Sequence, residues 1–375
     1  MIPKTLIRFI LGVALIPVSV SVAQGQSAST NPVGYNRITC LKNSDTIVGV
    51  PFRVQGSIRR AITAVPAIAS GGLTATLTIS TLPGSLPSRY LMFTSGTRNG
   101  RWYDISSSTT SSATISLNGD TLTGVVAGES VIIAQYWTLD TLFPPAGATT
   151  AWGAGPSFIP NGHAIVASAG TSPVTRRTQI LLPNNSIPGV NRPSIDIYFI
   201  NSLVGTWVKA AAGNPSAGGL VIYPDTSLTI RHSNSVSNPT NFRCMGDVVS
   251  NVQSIVLSSR PLAQGPNDNY IAIPRPVDVT LNGLNLVQSG AFTASASISP
   301  VARRDQLFIY DNAVAQLNRA PSAIYYYLVD KWVLAGDSAL TSRDNAIVAA
   351  GAGIVVRKFN TTGGVSSFWP NTPNY

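Results

Sequence analysis

Acidic side chains are scarce in this sequence, and nearly all are of one kind: Glu129 stands alone beside 14 aspartates. Charged residues make up only 11% of the 375-residue chain, against 44% apolar. That balance excludes a disordered, solvating chain, because there is enough apolar surface to offset chain entropy. Cysteine is rarer still. Cys40 and Cys244 are the only two, too few for a disulfide-dense scaffold. A single bridge between them or two free buried thiols both fit the sequence. Histidine occurs twice, at His163 and His232, far apart and without ligand-spaced neighbours, so no metal or cofactor is expected. Helical periodicity is also missing, with few windows repeating apolar residues at i, i+3 and i+4. Beyond residue 22 no run is long and apolar enough to span a bilayer as a helix.

The N-terminus does carry a signal. Lys4 and Arg8 precede a stretch from Phe9 to Val22 that is apolar apart from Ser19 and Ser21, and Ser21-Val22-Ala23 offers small residues for cleavage. This pattern predicts a secretory signal peptide over 1–23, and Pro17 argues against a retained anchor. The expected address is the periplasm, outer surface or extracellular space. Cleavage would remove two of the 25 basic residues and lower the net charge from +10 to +8. A basic exported protein can meet anionic polysaccharide or other envelope components. Export makes nucleic acid a poor partner.

Short runs rich in β-branched and aromatic residues follow, among them "DTIVGVPFRV", "LTATLTIS", "RYLMFTS", "ESVIIAQYW", "QLFIYD" and "GIVVRKF". Gly, Pro, Asn or Ser bounds nearly all of them, which predicts an all-β fold. The chain also repeats itself. Between 176–199 and 303–326, Arg176-Arg177 recur as Arg303-Arg304, Gln179 as Gln306, Asn185 as Asn312 and Asn191-Arg192 as Asn318-Arg319. Further on, Trp207 matches Trp332 and Arg231 matches Arg357. A fainter copy spans 89–136, where "GRWYDI" stands for "TWVKA" and would place Trp102 with the other two tryptophans. "DTIVGVPFRV" from Asp45 aligns with "DNYIAIPRPV" from Asp268 and is assigned to the first copy. The expectation is a set of duplicated β-sandwich or barrel-like units with little helix. After 1–23 they divide as an N-terminal unit with the first module over 24–172, a middle module over 173–245 and a C-terminal unit over 246–375.

"NPVGYNRITC", "SDTIVGVPF", the Arg-Arg modules, the aromatic triplet ahead of Trp332 and the closing "FWPNTPNY" together resemble a family of uncharacterised exported bacterial proteins, often paralogous within one genome. The resemblance spans nearly all of the mature chain. It implies an exported β protein and supplies no catalytic residues, because no activity is assigned to the family.

Chemistry has few places to reside. No GxSxG nucleophile motif occurs. Asn267-Asp268-Asn269 faintly suggests a calcium loop and reads better as a turn. Asp45 and Asp268 recur between copies and read as backbone-binding residues at strand starts. The repeated arginines are the candidate site. Arg177, Arg192 and Arg231, with Arg304, Arg319 and Arg357, recur without matching acids: Asp305 stands opposite Thr178, Asp311 opposite Asn184 and Asp225 opposite Gly351. Such arginines either clamp backbone carbonyls and Asn side chains or meet an external anion. Tyr325 and Tyr327 share one face of a strand, with Tyr326 on the other, and suit either a core or a sugar-stacking platform. An exported, non-enzymatic envelope or extracellular protein with a structural or interaction role is therefore expected. A glycan-binding protein using the aromatic and Arg surfaces is the alternative, and a secreted hydrolase with paired aspartates the third.

Overall fold

The computed structural model describes residues 32–145, 164–194, 196–373 and 375. The expected signal peptide and His163 lie outside them. Two strands open the described chain, β1 (Val33–Cys40) and β2 (Ser44–Val48). Six then form the first repeat: β3 (Ile58–Ala61), β4 (Thr74–Thr78), β5 (Arg89–Phe93), β6 (Trp102–Ser108), β7 (Ser112–Ser116) and β8 (Ser130–Gln135). Their order is β3-β8-β5-β6-β7-β4, with a two-residue seventh strand (Ala67–Ile68) beyond β4, and an Ile62–Ile79 bridge links the ends of β3 and β4. The sheet thereby curls into a nearly closed barrel. Alternation explains its interior. In "TATLT" and "SATIS" the apolar residues Ala75, Leu77, Ala113 and Ile115 are buried between outward Thr and Ser. They pack there with Leu91, Phe93, Val131 and Ile133.

The middle repeat comprises β9 (Thr178–Leu182), β10 (Asp196–Asn201), β11 (Thr206–Lys209) and β12 (Leu228–His232). After β13 (Thr240–Val248), β14 (Gln253–Leu257) and β15 (Asn267–Ala272) comes the last repeat. It comprises β16 (Gln306–Ile309), β17 (Ala323–Leu328), β18 (Lys331–Leu334) and β19 (Gly353–Lys358), followed by β20 (Ser367–Asn371). The two five-stranded sheets share one order: β11-β10-β9-β12-β2 and β18-β17-β16-β19-β15. The fold is all-β, and Leu139–Leu142 is the one α-helix among the described residues.

This topology changes three expectations. The "DTIVGV" strand, β2, does not belong to the first copy. It is the edge strand of the middle sheet, with Asp45 opposite Arg231, and the whole barrel is inserted between β2 and its sheet partners. Asn267-Asp268-Asn269 is not a turn but the start of β15, with Asp268 opposite Arg357. Trp102 is not equivalent to Trp207 and Trp332. It sits on the second strand of the 89–136 copy, paired with Met92, whereas Trp207 and Trp332 sit on the third strands of their repeats and are fully buried.

The cysteines occupy the β1–β13 pair, where Cys40 faces Thr240 and Asn36 faces Cys244. A four-residue offset along a strand is ~13 Å, about twice the reach of a disulfide. Both thiols are free and buried in the core of the middle repeat. Burial pushes the Cys40 thiol up to about 11 and raises Cys244 as well, so neither is poised for thiolate chemistry.

Candidate functional site

Four of the six singled-out arginines meet where the middle and last repeats join, in two matching clamps. On one side Arg231 on β12 grips Asp45 on β2, Nε to Oδ1 at 2.6 Å and Nη2 to Oδ2 at 2.7 Å, and its Nη2 also donates to Asn318 Oδ1 at 2.7 Å. On the other Arg357 on β19 grips Asp268 on β15 at 2.7 and 3.0 Å and donates to Asn191 Oδ1 at 2.8 Å. The matching acids that the sequence alignment failed to supply are therefore Asp45 and Asp268, contributed by the opening strands. Bidentate forks of this kind are the strongest charged hydrogen bonds available to Arg. The pairing raises the Arg231 guanidinium further.

Each clamp crosses between repeats. The loop after β16 reaches β2: Asn318 N–H donates to Asp45 Oδ2, and Arg319 donates to the carbonyls of Asp45 and Val314 and to Ser44 Oγ. Reciprocally, the loop after β9 reaches β15: Asn191 N–H donates to Asp268 Oδ2, and Arg192 donates to the carbonyls of Asn184, Ile187 and Asp268. Asn191 and Asn318 hold φ of 50° and 48°, a left-handed conformation that Asn tolerates better than most residues. Asn312 closes the edge of β2 by accepting from Ile47 N–H at 3.0 Å and donating to its carbonyl at 2.9 Å. Asn185 does the same to Tyr270 on β15, at 3.0 and 2.8 Å. A side-chain amide thus replaces a neighbouring strand and blunts an edge open to pairing.

The remaining candidates lie apart from the clamps. Arg177 and Arg304 are exposed, and Arg304 stacks over Phe359 at 4.4 Å. Their neighbours Arg176 and Arg303 lie over Phe199 and Tyr326 at 4.9 and 4.8 Å. Tyr325 and Tyr327 are half-buried against the core of the last repeat, Tyr327 edge-on to Trp332. A buried pair also differs between copies. Thr178 shares a hydrogen bond with His232 at 3.0 Å, while Asp305 and Lys358 form an ion pair at the corresponding positions. Burial drives His232 down to about 4, so it is a neutral core residue. Among the described residues no group of three or more His, Cys, Asp or Glu is placed to hold a metal, and no helix is long and apolar enough to cross a membrane.

A second feature draws on the first and middle repeats and on the β14 and β20 strands outside the last one. A cleft of about 350 Å³ lies between the barrel, the loop before β12 and the β14–β20 ribbon. Trp102 and Arg101 enter it from the start of β6, and Asn118 and Asp120 from the loop after β7. Asp225 comes from the middle repeat, Ser254 from β14 and Phe368 from β20. Ser254 ties its walls together, its N–H donating to Gly100 O at 2.9 Å and its hydroxyl to Asn99 O at 3.2 Å. Gly100 is required here: its φ is +85°, and a Cβ would lie 2.9 Å from Ser254 N.

The two aspartates of the cleft differ in state. Asp120 accepts from Arg98, Arg101, Tyr103 and the Leu122 N–H. Burial alone would raise its carboxyl, but the Arg98, Tyr103 and Leu122 hydrogen bonds hold it well below the usual range. Asp225 makes no salt bridge among those of the described residues. Burial pushes its carboxyl up to about 6, against hydrogen bonds from its own N–H and the Trp102 indole. Trp102 stacks on Tyr223 at 5.5 Å, and Arg101 lies 3.8 Å over the Phe368 ring. Sequence reasoning singled out Trp102 as a repeated aromatic and named Asp225 only as an acid without a counterpart; it did not bring the lining residues together, because they come from segments far apart in the chain. In comparisons with protein-family models, curated proteins and solved structures, nothing matches the chain.

Proposed function

We propose that this chain is an exported, non-enzymatic envelope or extracellular protein whose role is interaction: a rigid β body that holds the cleft open for a ligand. The observation that carries this reading is the state of Asp120. Its carboxylate is filled by four donor groups, so it has no lone pair free to activate water or attack a substrate. Glycoside cleavage needs two working carboxyl groups, and Asp225 would stand without its partner. The clamps supply the rigidity, because they fix both loops that join the middle and last repeats. Export rests on the N-terminal signal pattern and on the resemblance to exported bacterial proteins.

One observation favours a second reading as a secreted hydrolase. An Asp225 carboxyl near 6 suits a proton donor at neutral pH. Incubation of the purified mature protein with envelope polysaccharides and aryl glycosides separates the two, with released reducing ends and aryl alcohol as readout. Absence of product is the expected result. Turnover that disappears in Asp225→Asn overturns the non-enzymatic reading.

A further inference from the structure

We propose that the cleft binds a neutral sugar residue, not the anionic polysaccharide that the net charge of the chain would suggest; the inference rests on the interaction reading above. Its apolar wall is Trp102 and Phe368, the latter 39% exposed. Aromatic rings of this kind take up the C–H faces of sugars while polar groups at the rim fix orientation. The polar groups are a carboxyl at Asp225 and an amide at Asn118. Such groups meet hydroxyls, which donate and accept at once, better than they meet a phosphate or carboxylate.

Charge at the cleft points the same way. Arg98 and Arg101 both pair with Asp120, at 2.8 and 3.2 Å, and Asp225 faces the same space. Two guanidiniums against two carboxylates leave no net positive field once Asp225 is ionised. An acidic sugar would bring its charge towards the Asp225 carboxylate with no unpaired cation to receive it. Arg101 is further committed by lying on Phe368, where it extends the flat stacking surface instead of acting as a free anion receptor. Exposed basic side chains lie outside the cleft, among them Lys42, Arg59, Arg177 and Arg304.

The test is a glycan array and tryptophan-fluorescence titration of the whole mature protein, with neutral hexose oligomers and a galacturonate oligomer as probes. Binding of at least one neutral oligomer is expected, weakened about tenfold by Phe368→Ala or Asp225→Asn, a loss of roughly 1.4 kcal/mol. Melting temperatures of both variants serve as folding controls. Arg177→Gln with Arg304→Gln should leave neutral-sugar binding unchanged. Silence across all neutral probes, binding confined to galacturonate, or loss of binding only in the Arg177/Arg304 double variant would each overturn the inference. Hydrolysis of a bound neutral oligomer would instead overturn the non-enzymatic reading and leave the sugar site standing.

Discussion

A repeated arginine is informative only with its partner, and here the partner lies far away in sequence. Asp45 and Arg231 are 186 positions apart, with the entire barrel between them. The duplication of Arg192, Arg231, Arg319 and Arg357 was legible in the sequence, as was the recurrence of Asp45 and Asp268. That these two sets bind each other was not, because strand pairing across an insertion leaves no local pattern. Asp45 and Asp268 are almost fully buried, so Asp45→Asn or Asp268→Asn leaves a partly buried guanidinium without its anion. Each substitution should cost about 2–3 kcal/mol, measured by urea denaturation. A cost below about 0.5 kcal/mol, the level of a surface pair, would contradict the clamp. Titration of buried groups gives a second prediction. His232 titrates near 4 in the folded chain because burial disfavours its cation, against about 6.5 when unfolded. Its contribution is complete above pH 6.5 and falls as pH drops towards 4, by roughly 3 kcal/mol. Asp225 works in the opposite sense. Its folded carboxyl is raised to about 6, so the folded state gains as pH falls from 6 towards 4. Asp225→Asn removes that gain. Its melting temperature should therefore drop more steeply between pH 6.5 and 4.5 than that of the unmodified protein, and parallel curves would refute the assignment.

Among the elements, the edge strands determine how the repeats assemble. β2 and β15 each expose one side of the backbone, and the Asn312 and Asn185 amides close it. Asn312→Ala removes two hydrogen bonds and leaves the Ile47 N–H and carbonyl without them, a loss of about 2 kcal/mol. Amide exchange at Ile47 should accelerate correspondingly, and unchanged exchange would show that the loop does not hold the edge. Strand identity and alternation were readable from the sequence because apolar residues at period two leave little choice of face. "TATLT" and "SATIS" show this in the barrel. Trp102 shows where such reading fails. Its neighbours resemble a third strand, yet Trp102 pairs directly with β5, because tryptophan with an aromatic partner fits either position. The cleft was invisible for a different reason. Asp225, Ser254 and Phe368 carry no shared motif and converge only after the barrel has docked on the β14–β20 ribbon.

For the molecule as a whole, the account links duplication to rigidity and rigidity to a fixed binding cleft. The described residues from Pro32 onward form one compact unit. Within it, two repeats hold each other through matching contacts, as two subunits of a symmetric dimer would. The basic composition suggested a surface for anions, but half of the repeated arginines are internal to this joint. Stability should therefore not divide at the repeat boundaries. Arg319 reaches both sides, since it lies in the last repeat and binds Asp45 and Ser44 of the middle sheet. Native-state hydrogen exchange on Arg319→Ala tests the central claim most directly. The account predicts matched loss of protection in β2 and β12 of the middle repeat and in β16 and β17 of the last. Loss confined to the loop 311–319, with both sheets as protected as before, would contradict it.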